Sequence, residues 1–147
     1  MLLGEIVLDC PITKLEPFTF SGCEQLEKIV LPSTLESIGR TAFAHRAFKE
    51  LIIPDGVTSI ESSAFSGCQS LTTLILPAGI RYVNPNVFWA PLSSHLPEIR
   101  FNGTLAQFEL VDFALVTSRD RCKPIRVICT DGETERYVYS IVIDPTH

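Results

Sequence analysis

The stretch SSAFSGCQSLTTLILP, residues 62–77, has a near-copy upstream in TFSGCEQLEKIVLP, from Thr19 to Pro32. Self-similarity at a fixed distance marks a repeat architecture, so the phrase reads as one unit of a series. On the first apolar residue of LxxLxL, the registers are LGEIVL from Leu3, LEKIVL from Leu26, FKELII from Phe48, LTTLIL from Leu71 and LPEIRF from Leu96. Successive starts lie 23, 22, 23 and 25 residues apart. The fourth position is Ile6, Ile29, Leu51, Leu74 or Ile99, and the sixth is Leu8, Leu31, Ile53, Leu76 or Phe101. The tenth is Ile12, Leu35, Val57, Ile80 or Leu105, and the thirteenth is Leu15, Ile38, Ile60, Val83 or Phe108. Phe20, Phe43, Phe65 and Phe88 then recur before the next unit begins. No unit of this size can bury its apolar edge alone, so stacked coils must share one core. The pattern predicts a solenoid.

The turn residues agree. Pro32, Pro54 and Pro77 close the LxLxLP strand, where a missing N–H and a fixed φ stop the ladder. Asp55-Gly56 and Ala78-Gly79 follow, with glycine expected to take positive φ at a sharp corner. IGRTAF, IESSAF and VNPNVF are each expected to form one helical turn. Asn84-Pro85 supplies an N-cap and a first helical residue. IRVICTDGETERYVYSIVI reads as two strands around Asp131-Gly132.

On these residues the units resemble leucine-rich repeats of the BspA-like family, whose phrase runs roughly LxxIxLPxxVxxIgxxAFxxCxx. The resemblance covers residues 3 to about 95, and IRFNGTLAQFELV (99–111) and VICTDGE (127–133) are similar to the segment that closes such arrays. It implies an α/β fold: a right-handed leucine-rich-repeat solenoid, a parallel sheet on the concave side, short helical turns opposite, and a C-terminal β-hairpin cap. One domain is expected over 1–147, with repeats at about 3–25, 26–47, 48–70, 71–95 and 96–110 and a cap over about 111–147. Many members of the family are bacterial or protozoal surface proteins. The resemblance therefore implies a cell-surface or secreted location if this chain is a piece of a longer one, because MLLGEIVLDCP does not read as a signal peptide.

Charge and composition narrow the function. A formal net charge of -5, with Lys and Arg scattered singly, argues against nucleic acid as a partner. No apolar run approaches the ~20 residues of a membrane span. The five cysteines include no CxxC pair, which favours reduced thiols. Cys23 and Cys68 share one repeat position two units apart, about 9–10 Å in stacked strands and too far for a disulfide. They read as small inner-corner residues. A metal site with His45 is the sharper alternative, opposed by Arg46 between the thiols. A Cys122–Cys129 link is conceivable in an oxidising compartment. His45, His95 and His147 are isolated, and no nucleophile–base set, phosphate loop or metal motif is present. The expectation is no enzyme, no cofactor and no metal. Asn102-Gly103-Thr104 matches a glycosylation sequon, but at an expected corner of the cap it reads as a chance match.

The binding surface is expected on the concave sheet. With the fourth and sixth residues of LxxLxL inward, the fifth faces out and reads Val7, Val30, Ile52, Ile75 and Arg100. Beside it the third position reads Glu5, Lys28, Glu50, Thr73 and Glu98. An apolar stripe rimmed by charge suits a protein partner, and Lys28, Val30, Glu50, Ile52, Thr73 and Ile75 are the candidate contacts. The same Val and Ile also suit parallel strands with no partner at all. Trp89, in the longer fourth unit, is a further candidate contact or a residue tucked beneath the cap. Only Met1 and Leu2 precede the first unit, so its edge is expected to be met by upstream sequence, by end-to-end pairing with a second copy of the chain, or by a first coil that covers itself poorly. The reading is a protein-binding module with an unidentified partner; the alternative is a structural spacer or terminal piece of a larger surface adhesin.

Overall fold

The computed structural model describes residues 5–8, 10–17, 19–20, 27–44, 48–68, 70–84, 86–88, 97–113 and 122–139. Each of the first four units contributes two short strands, and the fifth contributes a front strand alone. The front strands are β1 (Glu5–Val7), β3 (Lys28–Val30), β5 (Glu50–Ile52), β7 (Thr73–Leu76) and β9 (Glu98–Phe101). The back strands are β2 (Lys14–Leu15), β4 (Ser37–Ile38), β6 (Ser59–Ile60) and β8 (Tyr82–Val83). Equivalent positions pair in parallel. On the back, Leu15, Ile38, Ile60 and Val83 form one in-register column. On the front, Ile6 pairs with Ile29, and Leu51 pairs with Leu74 and then Ile99. The period read from the sequence is thus the pairing register of a parallel-sheet solenoid.

Inward positions of both layers fill one core, with Leu15, Leu35, Ile38, Leu51, Ile53 and Ile60 fully buried. The recurrent phenylalanine forms a ladder. Phe20, Phe43, Phe65 and Phe88 stack with centroids 5.5, 5.8 and 5.9 Å apart, the spacing that offset stacking favours.

The corner after each front strand is the same three times over. The carbonyls of Pro32, Pro54 and Pro77 accept hydrogen bonds from the amides of Leu35, Val57 and Ile80 at 3.1–3.2 Å. Gly56 and Gly79 do not take positive φ there, contrary to expectation. Ser33-Thr34 occupies the equivalent corner without glycine, so a turn open to most residues suffices. The strict glycine is Gly39, which donates to the Leu15 carbonyl at 2.8 Å and whose β-carbon, if it had one, would strike that same oxygen.

The expected helical turns are not helices. Thr41 and Ser63 sit at φ of 54° and 57°, which breaks a right-handed turn. Their amides, with those of Phe43 and Phe65, donate to Ser62, Asn86, Ala64 and Val87 in the next coil. Asn84 does act through its side chain, accepting the Asn86 amide at 2.8 Å in a local turn. Among the described residues the one helix is α1 (Leu105–Phe108), capped by Thr104 and Gln107 in a reciprocal box. No described helix is long and apolar enough to cross a membrane.

The chain closes on itself at the C-terminal side. Strand β10 (Cys122–Cys129) pairs in parallel with β9 through Val127↔Ile99 and Ile128↔Arg100. Strand β11 (Gly132–Tyr139) then folds back antiparallel across Thr130-Asp131. Phe108 lies beneath the hairpin against Phe101 and Phe113, with the Arg136 guanidinium 5.0 Å above its ring. Asp131 accepts the Leu105 amide at 2.8 Å and ties the hairpin turn to α1. Cys122 and Cys129 occupy opposite ends of β10, about 23 Å apart at strand rise, so they cannot bridge each other.

Candidate functional site

The front layer carries the candidate contacts, and it is not one sheet. Strands β1 and β3 form a pair, while β5, β7, β9, β10 and β11 form a separate five-stranded sheet. Between β3 and β5 there is no ladder, although their Cα atoms approach within 8 Å. Neighbouring junctions show what is missing. The Leu8 amide donates to Val30 at 3.0 Å and the Ile53 amide to Ile75 at 2.9 Å, and Leu31 makes no equivalent bond to Ile52.

Chain length differs at the split. From the ladder phenylalanine to the inward residue of the next front strand, nine steps separate Phe20 from Ile29 and Phe65 from Leu74, but eight separate Phe43 from Leu51. The return into β5 is one residue short. It also carries the larger Phe48, fully buried and edge-on to Phe43 at 5.6 Å, where the other units begin with leucine. The shorter return and the larger Phe48 coincide with the one front junction, among the described strands, that is not paired.

A cleft of about 1070 Å³ begins at this place and continues past Pro54, Asp55 and Ser70 as far as Asn102. Ile29, Leu31 and Ile53 lie along it, so residues of the core reach its floor. Val30 and Ile52 stand on its two banks, 45% and 59% exposed, with Lys28 and Glu50 beside them and Glu27 and Lys49 at its entrance. The expected stripe is therefore divided. Lys28, Val30, Glu50 and Ile52 come together around the cleft, whereas Thr73 and Ile75 are half-buried on the far side of β5 and do not line it. Trp89 lies outside the described residues, as do Cys23, His45, Arg46, His95 and His147. Val7 continues the exposed apolar column on β1 at 62%.

Beyond Ile75 the front face changes character. Arg100 and Arg126 both reach Glu98, at 3.2 and 3.5 Å, and Arg126 also holds Glu133 at 2.6 Å. The hydrogen bond and charge of Glu133 raise the Arg126 pKa, and the network links β9, β10 and β11 by mutual satisfaction. Glu27, Lys49, Arg126 and Glu133 were not candidates from the sequence. The 22-residue unit was the readable sign of the first two; the second two depend on hairpin docking that no local pattern reports.

The thiols are placed by packing. Cys68 is half-buried against the core and donates to the Phe43 carbonyl at 3.0 Å, satisfying an oxygen of the preceding coil. Cys129 is buried, and that burial, with the nearby Asp131 charge, pushes its thiol pKa up. Among the described residues no group of three or more metal-ligating side chains converges.

Comparison with known proteins gives the setting. The sequence matches the BspA type leucine rich repeat region in six copies over residues 2–116. The structure is similar to a leucine rich cell surface protein from Faecalibacterium prausnitzii A2-165, with a TM-score of 0.61 and 18% identity over 76% of this chain and 35% of that one. A leucine-rich repeat protein from Bacteroides ovatus ATCC 8483 gives a TM-score of 0.45 at 28% identity, over 63% and 31%. A T. pallidum leucine rich repeat protein gives 0.49 at 24%, over 76% and 55%. The chain thus spans about a third of the first two proteins and about half of the third. No curated protein matches it.

Proposed function

The chain belongs to the BspA type leucine rich repeat family, and from that premise we propose that it is a non-catalytic module that binds a protein partner on its front sheet, at a cell surface. The observation that carries this reading is the coincidence of the cleft with Val30 and Ile52, aliphatic side chains left in water and flanked by Lys28 and Glu50. Isolated exposed aliphatics need no explanation, but two of them on facing banks over an apolar floor do. Fully burying each would contribute ~1.5–3 kcal/mol, reduced here because each is already partly covered. Thr73 and Ile75 extend the surface, and the charged network of Glu98, Arg100 and Arg126 bounds it. The surface location follows the description of the F. prausnitzii protein.

The test compares immobilised wild-type chain with Val30→Glu, Ile52→Glu and Leu110→Glu. Leu110 is 85% exposed and lies beyond β9, away from the cleft, so it serves as the control. All three positions face solvent, so each variant should keep its stability within about 0.5 kcal/mol. Proteins retained from extracellular-matrix extract are quantified by mass spectrometry. A protein held by wild type and Leu110→Glu but released by the other two supports the reading. Identical retention by all four chains leaves a structural spacer as the remaining role.

A further inference from the structure

The split between β3 and β5 exposes backbone as well as side chains, and the direction of that backbone can be read from its neighbours. The Val30 carbonyl is taken by Leu8 on β1. Polar groups alternate sides along a strand, so the amide and carbonyl of Ile29 and the amide of Leu31 face β5. The Ile53 amide is taken up by Ile75 on β7, so the amides and carbonyls of Glu50 and Ile52 face β3. Two rows of donors and acceptors thus look at each other across the cleft, and no ladder joins them. Among the described strands, every other junction between consecutive coils, front and back, is closed by pairing.

We propose that this split is a slot for an extended, aliphatic peptide segment of a protein partner, which lies parallel to β3 and β5 and pairs with both banks. The proposal rests on the reading that the front sheet binds protein and names what it recognises there. Three features select such an occupant. Both banks offer donors and acceptors at strand spacing, which only another extended backbone can match on two sides. Ile29, Leu31 and Ile53 line the split from the core side and are nearly covered as it stands, so they would meet the aliphatic side chains of alternate residues once the banks part. Lys28 and Glu50 place opposite charges on the two banks, so the slot favours neither a strongly acidic nor a strongly basic segment.

The fit requires one movement. Banks separated by an inserted strand stand about 9.6 Å apart, twice the ordinary interstrand distance, and β3 and β5 now come within 8 Å. The back strands β4 and β6 remain paired through Ser37↔Ser59 and Ile38↔Ile60, so the two coils can part at the front while the back holds them together.

The experiment is residue-resolved amide hydrogen exchange on the full chain. The probe is the acetylated, amidated peptide KLTTLILPK, which carries residues 71–77, the strand that already pairs with the other edge of β5. In the free chain the amides of Ile29, Leu31, Glu50 and Ile52 should exchange about tenfold or more faster than those of Leu51 and Ile53. Peptide should slow those four by about tenfold or more. A version N-methylated at every non-proline residue keeps its side chains but lacks donors on both edges, and it should give no protection. Equal protection of both amide sets in the free chain overturns the slot, and so does no response to the unmodified peptide. Protection by the methylated peptide also overturns it, because apolar contact alone then explains binding and the broader front-sheet reading stands. Protection that rises with protein concentration, without peptide, overturns it in favour of self-association. Failure of the broader reading is seen separately, as identical retention by wild type and Ile52→Glu.

Discussion

The second and third coils are joined in two different ways. On the back, β4 and β6 pair through Ser37↔Ser59 and Ile38↔Ile60; on the front, β3 and β5 do not pair at all. Both junctions bring together the same two coils, so the difference cannot come from the average quality of the repeat. It coincides with the place where the chain lost a residue. From front strand to back strand, Ile29 to Ile38 and Leu51 to Ile60, the spacing is nine steps in both units. The deficit falls wholly on the return between Phe43 and Leu51. A solenoid absorbs a length error at the nearest junction, because each coil contacts only its neighbours. The error is not spread over the array, and the adjacent β5–β7 and β1–β3 pairs keep their registers.

The largest effect is expected at the residue that anchors both sides of this junction. Phe43 is fully buried, stacks on Phe20 and Phe65, and meets Phe48 edge-on. Phe43→Ala should cost ~3–5 kcal/mol, the lost transfer energy plus the cavity, read as a lower urea midpoint with unchanged slope. The amides that join the back of these coils, Thr58 to Glu36 and Glu61 to Ile38, should lose protection together with the front. If β4–β6 protection survives while the front melts, the two sides are independent and Phe43 does not couple them.

A smaller effect of opposite sign tests the length explanation itself. Inserting one serine between Ala44 and Phe48 restores the nine-step return. Closing the ladder would form several backbone hydrogen bonds, each contributing ~0.5–1.5 kcal/mol. Ordering the added residue costs about 1–2 kcal/mol, so the net gain should be on the order of 1 kcal/mol. The sharper readout is exchange: Ile29 and Ile52 should become as protected as Leu51. If they stay fast in the lengthened chain, Phe48 and not spacing holds the strands apart. Phe48→Leu is then the next variant.

Much of this was legible in the residues. Periodicity alone placed the front and back columns, because inward positions of a stacked array must repeat. The phenylalanine ladder and the proline corners followed the same logic. The supposed helical turns did not, since IGRTAF and IESSAF carry local preferences that a helical turn and a β-turn share. What decides is non-local: the amides of Thr41, Ser63, Phe43 and Phe65 bond to the next coil, and left-handed φ at Thr41 and Ser63 turns them that way. The candidate site shows the same division. The pleat correctly put Val30 and Ile52 in solvent, but it treated the column as continuous. The 22-residue unit was visible in the spacing, and only the position of its deficit makes it a gap. The charged patch around Arg126 depended on a docked hairpin, which period and composition do not encode.

The smallest effect contrasts the open split with the closed end of the same layer. At β3 the core reaches a solvent cleft, whereas β10 and β11 seal the other side and bury Cys129. Burial comes first and the charge of Asp131 second in raising that thiol's pKa; Arg136 opposes them and Glu109 adds a little. The folded pKa therefore lies above the ordinary value near 9.0. A group with a raised folded pKa contributes stability that is whole below its unfolded pKa and is lost as pH climbs through the folded one. Wild type should thus lose stability relative to Cys129→Ala as pH rises above about 9, while the difference between them stays flat at lower pH. The thiol's loss of packing sets a constant offset, and the slope carries the titration. Urea midpoints of both chains from pH 6 to 10.5 measure it. A flat difference across the whole range would mean that water reaches Cys129 when the thiolate forms, and the hairpin end of the front layer would then be as open as the split.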